Sequence, residues 1–347
     1  MRIAAYGLSA LALTAAMAGT VASTAAAQET LVINSFGGAY EDAHRELVIE
    51  PFEEMYDVDL QVVTAYSADM LSQLRAQAGN PQFDVAHFSG GQEVIAAEEG
   101  LLEPISRDEL EYADELYDFA VEGLDNGVGP VYSVAAVGML YNTEALETAP
   151  ASWQDLWNDD YAGHIVLTDI SNTYGLLGLL MINQVHGGDL DNIQPGLDAV
   201  SELLDRSVIV RSSPEIQQNF AQNDAWIAPY AQDYGHTLRE AGLPIDFVQP
   251  EEGSPAVFIT ANVVAGRENT DLAKKFVDFS LRAEAQIGWA EALRYSPTNR
   301  TAELPEELAA QVLYGEEAMA NLVTFDPQVV NDRRSEWTDM WNRMITQ

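Results

Sequence analysis

Cysteine is absent from all 347 residues of the chain. That excludes disulfides, a thiol nucleophile and any lipid attached through cysteine. Lysine is nearly absent too: Lys274 and Lys275 are the only two, and arginine makes up the rest of the 16 cations. Opposite them stand 55 acids, for a net charge of −39. A surface of that sign repels nucleic acid and anionic lipid, so neither is an expected partner. Hydrophobic residues still make up 47% of the chain, which separates it from disordered acidic sequences. The acids are spread over every segment and read as a solvated surface suited to salty surroundings, so they say little about a ligand. Long apolar runs are missing beyond the first residues. The densest, YGLLGLLMI at 174–182, has about nine residues against roughly 20 for a membrane span, and reads as a buried helix.

Catalytic signatures are missing as well. The five histidines (His44, His87, His164, His186 and His236) lack HxH or HExxH spacing, which argues against zinc. There is no GxSxG elbow, no GxxxxGK[ST] loop and no three-glycine dinucleotide pattern. Carboxylate pairs carry no weight, because 55 acids produce accidental pairs. No catalytic residue, metal site or cofactor is expected.

What is present begins with a leader. Residues 1–27 carry one charge, Arg2, then an apolar run from Ile3 and the small-residue end Ala25-Ala26-Ala27. This is the form of a secretory signal with its cleavage site. The expected mature chain starts at Gln28 and diffuses, without a lipid anchor, in the periplasmic space between two bacterial membranes.

Beyond the leader the chain alternates. Nine apolar, β-branched runs (LVINSF, VDLQVVTAY, FDVAHFS, VYSVAAVGMLYN, HIVLTDI, VIVRSS, AWIAPYA, IDFVQP and AVFITANVVAG) are separated by stretches of helical period, such as 40–56, 68–78, 92–99, 174–186 and 271–281. Alternation of this kind predicts α/β domains with largely parallel sheets. Ser152 before Trp153-Gln154-Asp155 reads as a capping box. The length allows two cores, yet no Pro/Gly/Ser-rich tether separates the halves. Instead, two extended runs, 131–141 and 256–265, sit where the chain can cross between domains. Two crossings make the first domain discontinuous: 28–135 plus 262–347, with 136–261 inserted and C-terminal helices packing back across the hinge. Such a plan allows hinge closure around a ligand.

Three strand-to-helix junctions are small and polar. LVINSFGGAY breaks at Gly37-Gly38, which either cradles an anion at a helix start or forms a lip over a cleft lined by Phe36 and Tyr40. The missing phosphate motifs favour the lip; a plain turn with Phe36 in the core is the bland alternative. FDVAHFSGG repeats the pattern at Ser89 and Gly90, and LTDISNTY repeats it from Asp169 to Asn172. In open α/β sheets, ligands bind beyond such strand ends. In WIAPYAQDYG, Tyr230 and Tyr234 flank Asp233. That cluster suits an aromatic wall for an organic solute, ferric-ion ligation or core packing.

These segments, with the crossing run PVYSVAAVGMLYN and the tail motif RYSPTNR, resemble bacterial extracellular solute-binding proteins of ABC importers, nearest to the periplasmic spermidine/putrescine-binding group. The resemblance implies a two-lobe α/β clamp of the type II periplasmic binding fold, with two strand crossovers at the hinge. It implies no catalysis, and a monomer that delivers a small-molecule ligand to an inner-membrane ABC permease. In that group aromatic side chains sandwich a polyamine's methylenes and acids anchor its ammonium ends. Matched by motif, Phe36, Gly37, Ser89, Asp169, Tyr230 and Tyr295 take the corresponding positions. Two acids of the group lack counterparts: Ser171, Asn172 and Thr173 follow Asp169, and VFITAN at 257–262 contains no Asp. Asp233 is the available substitute. Arg211 either forks a ligand carboxylate or pairs with local acids. The expected ligand is a polyamine or related cationic amine. An amino-acid derivative, opine-like compound or other carboxylate comes second and ferric ion third; an enzyme on this architecture is disfavoured.

Overall fold

The computed structural model describes residues 28–320 and 322–346, so the expected leader lies outside the described residues. Each apolar run forms a strand: β1 (Thr30–Ser35), β2 (Asp59–Thr64), β3 (Val85–Ser89), β4 (Val131–Asn142), β5 (Ile165–Thr168), β6 (Ser207–Val210), β7 (Ile227–Ala231), β8 (Ile245–Val248) and β9 (Ala256–Val263). A two-residue strand, β10 (Ser296–Pro297), lies inside the tail motif. The order is β2-β1-β3-β9-β4-β7-β5-β6, with β8 and β10 also on β4. β1, β2 and β3 run parallel, as do β5, β6 and β7, while β9 and β4 return antiparallel beside them. The α/β architecture is the one the alternation predicts, but the sheets are mixed rather than largely parallel, because β4, β8, β9 and β10 all pair antiparallel.

β4 joins the two halves. Up to Ala136 it pairs with β9, and from Val137 onward with β7 and β8. At about 3.3 Å per residue its 12 residues reach about 40 Å, enough to serve both sheets. All of them but Tyr141 are buried, which is why the run is Val- and Ala-rich rather than alternating. The return crossing passes through residues 249–255, just ahead of the 256–265 run, because β9 lies wholly beside β3 and β4.

Two helices depart from expectation. The one predicted over 40–56 is helical from Gly38 to Tyr56, but Arg45–Ile49 forms a π-turn. Pro51 accounts for the widening: it has no N–H for the Leu47 carbonyl, and its ring crowds that group. The longest helix, Pro327–Ile345, lies where C-terminal helices are expected, but its bounds match no predicted stretch. Asp326 caps it, its Oδ1 accepting from the Gln328 and Val329 N–H groups at 2.9 and 3.4 Å, with Pro327 in the first turn. Its buried side chains are Val330, Trp337 and Trp341, a narrow stripe on an otherwise polar helix. Among the described residues no helix is long and apolar enough to cross a membrane.

The far end of the first sheet is fastened by one ion pair. Asp84, fully buried, accepts from Arg267 Nε and Nη2 at 2.7 and 3.1 Å and from the Val32 N–H at 2.8 Å. The tail motif clamps the start of β4. Thr298 Oγ1 donates to the Val131 carbonyl at 2.8 Å, and Gln286 Oε1 accepts from the Thr298 and Asn299 N–H groups at 2.6 and 2.9 Å. Ser-Pro-Thr-Asn is therefore a structural staple, which leaves Tyr295 as the part of the motif free to face a ligand.

Candidate functional site

The carboxyl ends of β1, β3, β5 and β7 lead into the segments where the halves meet. After β1 the chain turns through Gly37, whose φ of +76° and a Thr64 Cγ2 only 2.8 Å from any added Cβ both demand glycine. The turn presents Phe36 with its ring centroid 4.7 Å from Tyr40 and 6.4 Å from Tyr66, the latter ring near-parallel and 63% exposed. This is an aromatic lip. After β3, the Ser89 N–H donates to Ser67 Oγ at 2.9 Å. Gly90 then approaches the second half so closely that a Cβ on it would sit 3.2 Å from Thr173 Cγ2.

Asp169, after β5, is buried and already occupied. Its Oδ1 accepts from the Ser171 N–H and hydroxyl at 3.0 and 2.6 Å, and its Oδ2 accepts from Trp341 Nε1 at 3.2 Å. Burial pushes the carboxyl up, but the Ser171 and Trp341 donors and the Arg211 charge outweigh it and hold it below the usual aspartate range. Arg211 lies 3.9 Å away with its side chain 74% exposed, as a solvated residue beside a local acid. Asp169 thus ties the C-terminal helix to the second sheet, and the same helix holds the first half through Asn331 Nδ2, which donates to the Gly91 carbonyl at 2.9 Å. Trp341→Phe removes a donor to a buried carboxylate and is expected to cost about 1.5–3 kcal/mol at pH 7. Because the folded-state pKa of Asp169 is depressed, that stabilisation is present above the unfolded value and lost as pH falls through the folded one. Urea unfolding at pH 7 and pH 3 checks this: a cost equal at both pH values would remove the charge from the explanation.

Asp233 is in the opposite condition. It begins the helix Gln232–Glu240, directly after β7. Among the described residues its Oδ1, shielded from solvent, has no hydrogen-bond partner, and its Oδ2 accepts from the Tyr295 hydroxyl at a long 3.4 Å. Burial, partly offset by the backbone N–H groups of Asp233 and Tyr234 and by Tyr295, pushes the carboxyl up to about 6. The residue as a whole is half-buried, and aromatic rings flank it from both halves. Tyr174 meets Tyr230 edge-on at 5.0 Å, and Tyr230 meets Tyr234 at 5.5 Å. From the first half, Tyr295 lies 6.3 Å from Tyr40 and 6.2 Å from Trp289. Burial, then the Asp233 charge, lifts Tyr174 and Tyr295 well above the ordinary phenol range. Burial with neighbouring Tyr230 brings Tyr234 to about 12. All three phenols therefore stay neutral at pH 7. The hydroxyls of Tyr230 and Tyr234 are bound to Ser213, at Oγ (2.8 Å) and at the carbonyl oxygen (2.7 Å). Asn172 caps the helix Thr173–Val185 through the Tyr174 N–H at 2.9 Å and reaches the Tyr230 hydroxyl at 3.5 Å.

Phe36, Tyr40, Asn172, Tyr230, Asp233 and Tyr295 thus form one connected group across the halves. Gly37 supports the lip, Ser89 and Gly90 stand at a neighbouring contact, and Asp169 is set apart against Trp341. Sequence reasoning missed Tyr66, Trp289, Ser213 and Tyr132, whose hydroxyl is hydrogen-bonded to that of Tyr40. Tyr132 and Trp289 sit inside a strand and a helix, where the pattern gives only burial; Ser213, after the small-polar end of β6, follows the junction rule that marked the others.

The sequence profile of bacterial extracellular solute-binding proteins matches residues 48–315. A gamma-aminobutyric acid-binding protein of Pseudomonas aeruginosa is 24% identical over 288 residues, 80% of each chain. A spermidine/putrescine-binding periplasmic protein of Escherichia coli is 25% identical over 215 residues, 61% of this chain and 58% of the relative. The crystal structure of an ABC transporter protein from Clostridium perfringens superimposes with a TM-score of 0.79 at 25% identity, covering 91% of this chain and 99% of the other.

Proposed function

The chain belongs to the bacterial extracellular solute-binding proteins, and on that premise we propose that it captures an organic amine between its lobes in the periplasm and hands it to an inner-membrane ABC permease. One observation carries the choice of amine: the Asp233 carboxylate, flanked by tyrosines from both halves, has an oxygen with no partner among the described residues. A primary ammonium supplies three donors to such a group. The aromatic faces add about 0.5–2 kcal/mol each through cation–π attraction. The ligands in the names of the two curated relatives, gamma-aminobutyric acid and spermidine or putrescine, share a terminal ammonium.

In this reading 28–136 with 256–347 forms one jaw and 137–255 the other, the division expected at 261/262 being moved because β9 pairs with β3 and the first part of β4. An amine touching Asp233 in the second and Tyr295 in the first favours the closed state by those differential contacts. The protein acts as a single chain and carries out no reaction. A thermal-unfolding screen of putrescine, spermidine, γ-aminobutyrate and succinate tests the proposal. An amine at 100 times its Kd is expected to stabilise the protein by about 2.7 kcal/mol. A shift from succinate with none from any amine would overturn it.

A further inference from the structure

A cavity of about 420 Å³ opens between the helix Gln232–Glu240, the strand β8 and residues 310–312. Arg294, in the left-handed turn that ends the helix Ala283–Leu293, lines its remaining side. None of Tyr40, Tyr230, Asp233 or Tyr295 lines it, and neither β9 nor the C-terminal helix reaches it. Its charge inverts that of the chain. Acids outnumber lysine and arginine by 55 to 16 overall, yet here Arg239, Arg294 and His236 stand against a single acid, Asp246.

The two guanidiniums converge on one neutral oxygen, as Arg239 Nη2 and Arg294 Nε each donate to Gln311 Oε1 at 2.9 Å. Arg239 Nη1 pairs with Asp246 at 2.9 Å, whereas Arg294 has no ion-pair partner among the described residues and turns Nη1 back to the Ala290 and Glu291 carbonyls. Glu240, Glu291 and Glu307 act on Arg294 only from exposed positions. Burial and then the Arg239 charge push Arg294 down, and burial with both arginines does the same to His236. Among the described residues Arg294 Nη2, Arg239 Nε and His236 Nδ1 donate to nothing. One acceptor is unused as well. Gln232 is 3% exposed, and its Nε2 donates to the Gln311 carbonyl, which fixes the amide and leaves Oε1 shielded and unpartnered among the described residues.

Buried polar groups left unpaired are costly, charged ones most of all. We propose that this cavity binds inorganic phosphate, with Arg239, Arg294 and His236 donating to its oxygens and its P–OH donating to Gln232 Oε1. Donors from separate elements suit a tetrahedral oxyanion, where a single guanidinium fork suits a planar carboxylate. At pH 7 phosphate keeps a P–OH that sulfate lacks, so the Gln232 oxygen discriminates between the two. Arg239 and His236 precede the return crossing through residues 249–255, and Arg294 and Gln311 follow it, so the bound anion ties the two sides of that crossing together. The inference adds a second site and needs no residue of the amine site.

Isothermal titration of inorganic phosphate into the purified, amine-free protein at pH 7, in a phosphate-free buffer with sodium chloride holding ionic strength constant, tests this. The field of a chain with net charge −39 opposes unspecific uptake of anions, so saturation at one phosphate per chain is diagnostic. A Kd below about 1 mM is expected. Sulfate and glycerol 3-phosphate should bind about tenfold more weakly, the first for want of a P–OH and the second because it is mostly a dianion without one. Arg239→Gln and Arg294→Gln should each weaken phosphate by about tenfold or more, and Arg294→Lys should recover part of the loss. Gln232→Leu should erase the preference over sulfate. Both arginines are partly exposed, so the arginine variants and the sulfate comparison still decide if Gln232→Leu fails to fold. The proposal is overturned if phosphate does not saturate, if sulfate binds as tightly, or if both arginine-to-glutamine variants bind phosphate as wild type does. Failure of every amine to bind would overturn the Asp233 reading and leave this site untouched.

Discussion

Asp233→Asn is expected to weaken amine binding by about 100- to 1,000-fold, roughly 3–4 kcal/mol, in the range measured when one member of a buried charge pair is truncated. The same substitution should make the ligand-free protein more stable at neutral pH. Unfolded, the aspartate titrates near 3.8; folded, near 6. Between those values the folded state holds a proton that the unfolded state has released. Its stability is therefore complete below about pH 4 and falls as pH rises through about 6, by up to about 3 kcal/mol. Asparagine does not ionise and escapes that loss. Glu93, raised to about 7 by burial, imposes a similar slope on both proteins, so the informative quantity is the difference between them. Urea titrations at pH 4.5 and 7.5 measure it, and parallel profiles would show that Asp233 is already solvated or paired. An acid that costs folding energy until a cation arrives makes physical sense only in a binding site.

Arg267→Ala should be the most damaging change away from the cleft, at about 3–5 kcal/mol, because it strands Asp84 in the interior with a single N–H donor from Val32. Replacing both residues, as Asp84→Leu with Arg267→Met, should recover most of that loss, since no charge is then left buried. Asp84 precedes β3, at the opposite end from Ser89 and Gly90, so amine affinity should not change in any of these variants. Chemical denaturation with parallel calorimetry decides the matter. A loss below about 1 kcal/mol for the single change would mean that water reaches Asp84.

The strands were legible because each is a short β-branched run bounded by turn residues, whereas the antiparallel pairing of β9 with β3 and of β4 with β7 depends on contacts distant in sequence and was not. The Ser152 capping box forms as its spacing predicts, although the turn it caps is a 3-10 helix. C-terminal helices packing back across the hinge were expected, but the bounds of the one at Pro327–Ile345 were not legible. Its sequence is dominated by Gln, Asn, Asp, Arg and Glu, and three buried side chains in 19 residues give too thin an apolar stripe. Its role also depends on contacts distant in sequence, such as the 172 residues separating Asp169 from Trp341. The same limit explains Glu93. One acid among 55 carries no local mark of burial, whereas Asp233 stood out because tyrosines flank it. Asp169 shows the converse: a strand-end position points to a site, but only the fold reveals that its oxygens are taken.

The unbroken course of β4 restricts how the molecule can open. Its first part is laddered to β9 and its second part to β7 and β8, so sliding would rupture every rung at once. The partner changes between Ala136, opposite Ala256, and Val137, opposite Ala231. A swivel of one half against the other would act at that link, as an axle, together with the return crossing through residues 249–255, and would part Asp233 from Tyr295 while leaving each sheet's own weave intact.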